Sequence, residues 1–200
     1  MDISEYKKFT SCLPTMQTER LVLEKLASRH AEDMFEYSSR EDVTEFLSWY
    51  PHRDIYDTRE WIRKTRALYR KGVFCDWAIV LKQSGKMIGT VGFVRFSPEN
   101  NRAEIGYAMN PDYEGHGFMT EAVSAIINLG FSKFGLNRIE ALFIDGNLKS
   151  RAVMERCGMT YEGMLADYLT IKGKSRNIGI CSITINNYFI RGENHDKKII

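Results

Sequence analysis

A chain of 200 residues, 44% hydrophobic and 27% charged, is long enough for one domain with its own core and has an ordinary globular balance. Its net charge of +2, with both signs interspersed, argues against a nucleic-acid grip, which concentrates basic residues on one face. No apolar run reaches the roughly 18–20 residues that cross a bilayer, and the first twenty residues lack the apolar stretch of about 7–15 residues that marks a secretory signal. Cys12, Cys75, Cys157 and Cys181 are scattered without a CxxC pair. Reduced thiols in a cytoplasmic protein, with no disulfide framework and no metal, are the expectation.

Residues 20–26 (RLVLEKL) read as a first strand. Ser28 is placed to cap a helix running to Tyr37, with Ala31, Met34 and Phe35 facing inward. A less regular helical stretch covers residues 43–47, and Pro51 and His52 fall in a loop. Thr58 is expected to cap a helix with the stripe Trp61, Ile62, Thr65, Leu68 and Tyr69, and Gly72 to stop it. Residues 76–82 (DWAIVLK), 87–96 (MIGTVGFVRF) and Arg102–Met109 (RAEIGYAM) are rich in strand formers and joined by short polar turns, which predicts an antiparallel meander.

Helical spacing then appears over residues 118–134, through Val123, Ile126, Ile127, Phe131 and Phe134. Residues 139–144 form a nearly continuous apolar run, as in a buried strand. A short helix over 149–157 stops at Gly158. Segments 159–163, 168–171 and 177–184 complete a strand and hairpin turning at Lys172-Gly173-Lys174. The order is βααβββαβαββ, a mixed, mostly antiparallel α/β (α+β) sheet flanked by helices. Residues 1–17 read as an extension, 18–190 as one domain and 191–200 as a polar tail.

The stretch with chemistry in it is EIGYAMNPDYEGHGFMT, from Glu104 to Thr120. Pro111 ends the strand because it has no N–H for the ladder. Gly115 and Gly117 follow, one residue apart, just before a helix. Such glycines let several N–H groups point into one concavity, where the unpaired first-turn amides and the helix dipole favour an anion such as a pyrophosphate. Glycines before a helix are also common in plain turns. The spacing is neither a P-loop nor a dinucleotide fingerprint, since GxGxxG fails at Thr120.

AEIGYAMNPDYEGHGFMTEA, followed by a helix, a strand and DGNLKSRAVMERCGMTYEG, resembles the GNAT superfamily of N-acetyltransferases. It is most similar to the branch containing the ribosomal-protein N-terminal acetyltransferases. The resemblance covers about residues 18–189 and includes the opening TERLVLEKL and the central IGTVGF. It implies a sheet splayed in the middle to hold acetyl-CoA as cosubstrate, with no metal. The pyrophosphate loop matches Glu114, Gly115, His116, Gly117, Phe118, Met119 and Thr120. Asp112 stands where relatives often carry Gln or Arg. The splayed strand edge implies pantetheine contacts from Tyr107, Ala108 and Met109, with Ile144 and Asp145 across the gap and Asn147 matching the family asparagine.

The resemblance implies direct attack of an amine on the thioester, with an N–H near Met109 facing the carbonyl oxygen. Glu104 is the candidate base; the alternative is a strand glutamate paired to a cation. The tyrosine that many relatives use as acid is replaced by Met154, and the branch places Ser150 near the sulfur instead. Ser150 reads equally as a helix cap. His116 is expected to face solvent, and Cys157 to pack rather than carry an acetyl group. The acceptor reads as a protein N-terminal α-amine or a small amine such as a polyamine or antibiotic. Trp49, Tyr50, Trp61 and Tyr168 are candidates to shape its pocket, with residues 43–51. An acyl-CoA sensor without catalysis on the same fold is the other reading. No nucleic acid or membrane partner is implied, and homodimers occur in the branch.

Overall fold

The computed structural model describes residues 4, 8, 11, 13–71 and 75–196. Gly72, the expected helix stop, lies outside the described residues, as do the last four residues and most of the first twelve.

Strands β1 (Met16–Gln17), β2 (Leu21–Lys25), β3 (Cys75–Leu81), β4 (Met87–Ser97), β5 (Arg102–Met109), β6 (Arg138–Ile144), β7 (Thr160–Ile171) and β8 (Lys174–Thr184) form one sheet in the order β1-β2-β3-β4-β5-β6-β8-β7. Among the described residues only the β5–β6 pair is parallel. The 87–97 strand is buried along its first seven residues, Met87 to Phe93, because both faces are covered.

Helices α1 (Ala31–Ser38), α2 (Glu41–Thr44) and α3 (Ile55–Lys71) flank the early strands, before β3. Helix α4 (Phe118–Ser132) joins β5 to β6, α5 (Leu148–Arg156) follows β6, and α6 (Ile185–Asp196) follows β8. Gly92 and Phe93 are neighbours in β4 and so point to opposite faces. Gly92 pairs with Asp76, which interacts with Tyr37 of α1, whereas Phe93 approaches Gly130 of α4. Helices α1 and α3 therefore cover one face, and α4 and α5 the other.

Several local expectations are corrected. Thr58 does not cap α3: it is fully buried within the helix, and its hydroxyl lies 2.8 Å from His52 Nδ1. The amides of Tyr56 and Asp57 donate instead to Asp54 Oδ1, at 2.9 and 3.1 Å. Ser28 opens a 3-10 turn, Ser28–His30, and its hydroxyl accepts from Arg66. The two late segments at 159–163 and 168–171 belong to one strand, β7, whose pairing shifts between Leu165 and Leu169, where Asp167 has φ 48°. The hairpin turn is as expected, with Lys172 at φ 52° and Gly173 at φ 74°, the two left-handed residues of a type I′ turn. Met16–Gln17 pairs with β2, and the last helix, α6, runs from Ile185 to Asp196.

Candidate active site

The parallel β5–β6 ladder has four pairs and ends at Ile105–Ala141. Beyond it the two strands separate. Asn137 N–H donates to Asn101 C=O, and Asn110 N–H donates to Ile88 C=O. Backbone groups alternate along a strand, so odd-numbered residues of β5 face β6 and even-numbered ones face β4. Tyr107 and Met109 therefore turn their N–H and C=O into the gap, past the last ladder pair. Asp145 does not reach across: its N–H donates to Asn177 C=O on the β8 side, leaving Ile144 as the gap-facing residue.

Beneath the gap is the glycine loop. The Asn110 side chain accepts from Asp112 N–H at 3.1 Å and opens a 3-10 turn, Pro111–Tyr113. Gly115 (φ 80°) and Gly117 (φ 78°) both occupy the left-handed region that favours glycine. A Cβ on Gly115 would meet open space, so backbone conformation rather than crowding selects glycine there. Gly117 gives α4 no side-chain cap. The first i→i−4 bond of the helix runs from Glu121 N–H to Gly117 C=O, leaving the amides of Phe118, Met119 and Thr120 turned outward at the positive end of the helix.

Gap and loop open into one cleft of about 1080 Å³. Tyr107, Ala108, Met109, Glu114, Gly115, Gly117, Phe118, Met119, Thr120, Asn147 and Ser150 all line it. His116 does not; it is exposed, with its ring stacked on Phe118. Asp112 pairs with Arg40 at the surface, at 2.9 Å. Sequence reasoning missed Arg20 and Arg156, which also line the cleft. Arg20 falls at the start of the expected first strand, where nothing in the local sequence marks it for a site. Its role emerges only when β2 meets α4: Nε donates to Glu121 at 2.7 Å, Nη1 to the His116 carbonyl at 2.8 Å, and the guanidinium covers the Phe118 ring.

Of the aromatic candidates for an acceptor pocket, none lines the cleft. Tyr50 and Tyr168 are exposed, Trp49 packs on His52, and Trp61 packs on the core. Val43, Glu45, Phe46 and Leu47, from the 43–51 stretch expected to shape the acceptor site, do line the cleft.

Ser150 is not the cap of α5. Asn147 is, its Oδ1 accepting from Ser150 N–H at 3.1 Å. The Ser150 hydroxyl lies 2.9 Å from the Tyr107 hydroxyl, which also lies 2.9 Å from the Ser150 carbonyl oxygen. Glu104 projects to the face opposite Tyr107, outside the cleft lining. Its side chain is 14% exposed, and burial pushes its carboxyl above the usual range against the pull of Arg95 at 3.6 Å. Met154 is buried, and burial raises the Cys157 thiol, which favours an inert, packed cysteine. No group of three or more metal-ligating side chains forms among the described residues, and no helix there is long and apolar enough to cross a membrane.

A splayed parallel pair above a capless, glycine-turned helix start matches what the GNAT resemblance implies. Residues 20–160 match the acetyltransferase (GNAT) domain family. The chain is 34% identical over 176 residues to the uncharacterized N-acetyltransferase p20 of Bacillus licheniformis, covering 88% of this chain and 99% of that one. It is 26% identical over 151 residues to the ribosomal-protein-serine acetyltransferase of Escherichia coli (strain K12), covering 74% and 83%. The solved structure of the microcin C7 self-immunity acetyltransferase MccE, in complex with acetyl-CoA and AMP, matches with a TM-score of 0.74 at 25% identity, over 84% of this chain and 94% of that one. The chain belongs to the GNAT family and is an acetyltransferase. Its relatives include ribosomal-protein acetyltransferases, in keeping with the branch its motifs resemble.

Proposed function

We propose that the protein transfers the acetyl group of acetyl-CoA to a primary amine, with a protein N-terminal α-amine as the favoured acceptor. The observation that carries this reading is the continuity of the cleft from the outward amides of Phe118, Met119 and Thr120 to the unpaired edge at Tyr107 and Met109. One end suits a diphosphate and the other a pantetheine amide, in a volume adequate for a bound cosubstrate. When bound, acetyl-CoA supplies an activated acetyl thioester.

The residues divide the remaining work. The amides of the loop from Gly115 to Thr120 hold the diphosphate, with Arg156 as a nearby cation. The Met109 N–H faces the gap, where it can donate to a carbonyl oxygen. Glu104 stands on one face of β5 and Ser150 on the other. Their opposite placement supports separate roles, Glu104 as proton acceptor for the amine and Ser150 as hydrogen-bond donor to the sulfur. Burial raises Glu104 toward the range useful to a general base.

The preference for an α-amine rests on kinship with ribosomal-protein acetyltransferases. It also rests on the open wall at Val43, Glu45, Phe46 and Leu47, which leaves room for a chain to extend away. Peptides with free and blocked N-termini, mixed with polyamines and aminoglycosides and analysed by mass spectrometry, test it. Acetylation confined to free α-amines is the expected result. Acetylation of polyamines or aminoglycosides alone would replace the peptide acceptor with a small molecule, and acetyl-CoA binding without transfer would favour a sensor.

A further inference from the structure

Tyr107 has one hydroxyl proton and two acceptors for it, the carbonyl oxygen and the hydroxyl of Ser150, each 2.9 Å away. The carbonyl does not depend on that proton. Ser150 is the third residue of α5, where the helix pattern offers its carbonyl the amide of Met154. The Tyr107 proton is therefore free to occupy either direction.

In one arrangement Tyr107 donates to the Ser150 carbonyl and the Ser150 hydroxyl donates to the Tyr107 oxygen. The serine proton is then turned away from the cleft. In the other, Tyr107 donates to Ser150 Oγ, and the serine must direct its own proton elsewhere. Both residues line the cleft. The Asn147 side-chain oxygen does not compete for the serine proton, because it is occupied with the Ser150 amide.

We propose that Tyr107 is a positioning residue whose hydroxyl rotates to release the Ser150 proton toward the sulfur, compensating for methionine at position 154. This rests on the acetyl-CoA reading above. No proton leaves Tyr107. As the amine nitrogen bonds to the acetyl carbon and the carbon–sulfur bond breaks, Ser150 stabilises the thiolate by a hydrogen bond. The amine proton passes to Glu104 or water, and the thiolate takes a proton from solvent. Burial holds the Tyr107 hydroxyl well above its ordinary value, so it stays a donor throughout the working range.

The test needs no known acceptor. Calorimetry compares CoA with desulfo-CoA on the wild type, Tyr107→Phe, Ser150→Ala and the double variant, at a pH where bound CoA is a thiolate. The wild type should prefer CoA, and Tyr107→Phe, in which no donor reaches Ser150 Oγ and the serine proton turns to a carbonyl of its own helix, should reduce that preference about tenfold, as expected for a hydrogen bond to a charged group. Desulfo-CoA affinity should stay unchanged, which reports an intact cleft. Ser150→Ala should cause the same loss, and the double variant no more. In wild type the thiol pKa of bound CoA should lie below that in Tyr107→Phe. Losses that multiply in the double variant, a preference retained by Tyr107→Phe, or an equal fall in desulfo-CoA affinity would each overturn the proposal. No CoA binding by the wild type would overturn the acetyl-CoA reading itself.

Discussion

Arg20 Nε donates to Glu121 Oε2 at 2.7 Å, joining the start of the sheet to the first turn of the helix beneath the cleft. Glu121 suits a helix N-terminus but would repel a phosphate bound there. Arg20 offsets that charge, and through Nη1 it also holds the His116 carbonyl. Arg20→Ala is predicted to weaken acetyl-CoA binding roughly 5–20-fold, the scale of about 1–2 kcal/mol for a charge-assisted contact. The double substitution Arg20→Ala, Glu121→Gln should recover part of that loss. Calorimetry at two salt concentrations checks both.

Gly115 separates backbone conformation from crowding. With φ at 80° and open space where a Cβ would stand, Gly115→Ala should cost about 1–2 kcal/mol through the left-handed backbone alone. If the loop relaxes to escape that strain, its amides turn away. Acetyl-CoA affinity should then fall while the thermal midpoint moves by only a few degrees. An unchanged affinity would show that the loop's left-handed turn is not needed for binding.

Asp76 makes stability depend on pH. It is buried in β3 beneath α1, and loss of solvent pushes its carboxyl up to about 8, against the pull of the Trp77 amide. The folded value is raised above the ordinary unfolded one near 4. The resulting stabilisation is complete below about pH 4 and is lost as pH rises through about 8. Asp76→Asn should flatten the fall in thermal midpoint between pH 5 and 9 and raise the midpoint at pH 9, by roughly 2–4 °C for each kcal/mol recovered.

Glu104 must be ionised to accept a proton, and burial raises its carboxyl while Arg95 opposes the rise. Turnover should therefore fall as pH drops through this elevated value. Arg95→Ala removes the opposing charge and should move that acid limb to higher pH. Glu104→Gln should lower kcat about 10²–10⁴-fold, the span of general-base contributions, with little change in acetyl-CoA affinity. Equal kcat in Glu104→Gln and wild type would remove the base role.

Much of this arrangement is legible in the sequence because its signals are local. The β5 strand begins and ends where its residues suggest, and the two glycines before α4 both adopt positive φ. Thr58 misleads because a capping residue just ahead of a strong apolar stripe looks like a helix start. Asp54 is the actual cap, and Thr58 serves a buried hydroxyl–histidine cluster instead. Helix α6 is obscured in the sequence by Gly192 and a polar run, though Tyr188 anchors it against Phe131. The Tyr107–Ser150 contact joins residues 43 apart, and the Arg20–Glu121 pair joins residues 101 apart. Such contacts depend on how the helices cross the sheet, which no local spacing reveals.

The most direct test of the central claim is amine-dependent thiol release from acetyl-CoA, followed in the presence of peptides with free N-termini and in their absence. The account predicts release that requires the peptide, with one acetyl group appearing on its α-amine for each thiol freed. Acetyl-CoA that binds while no thiol is released with any amine would contradict it.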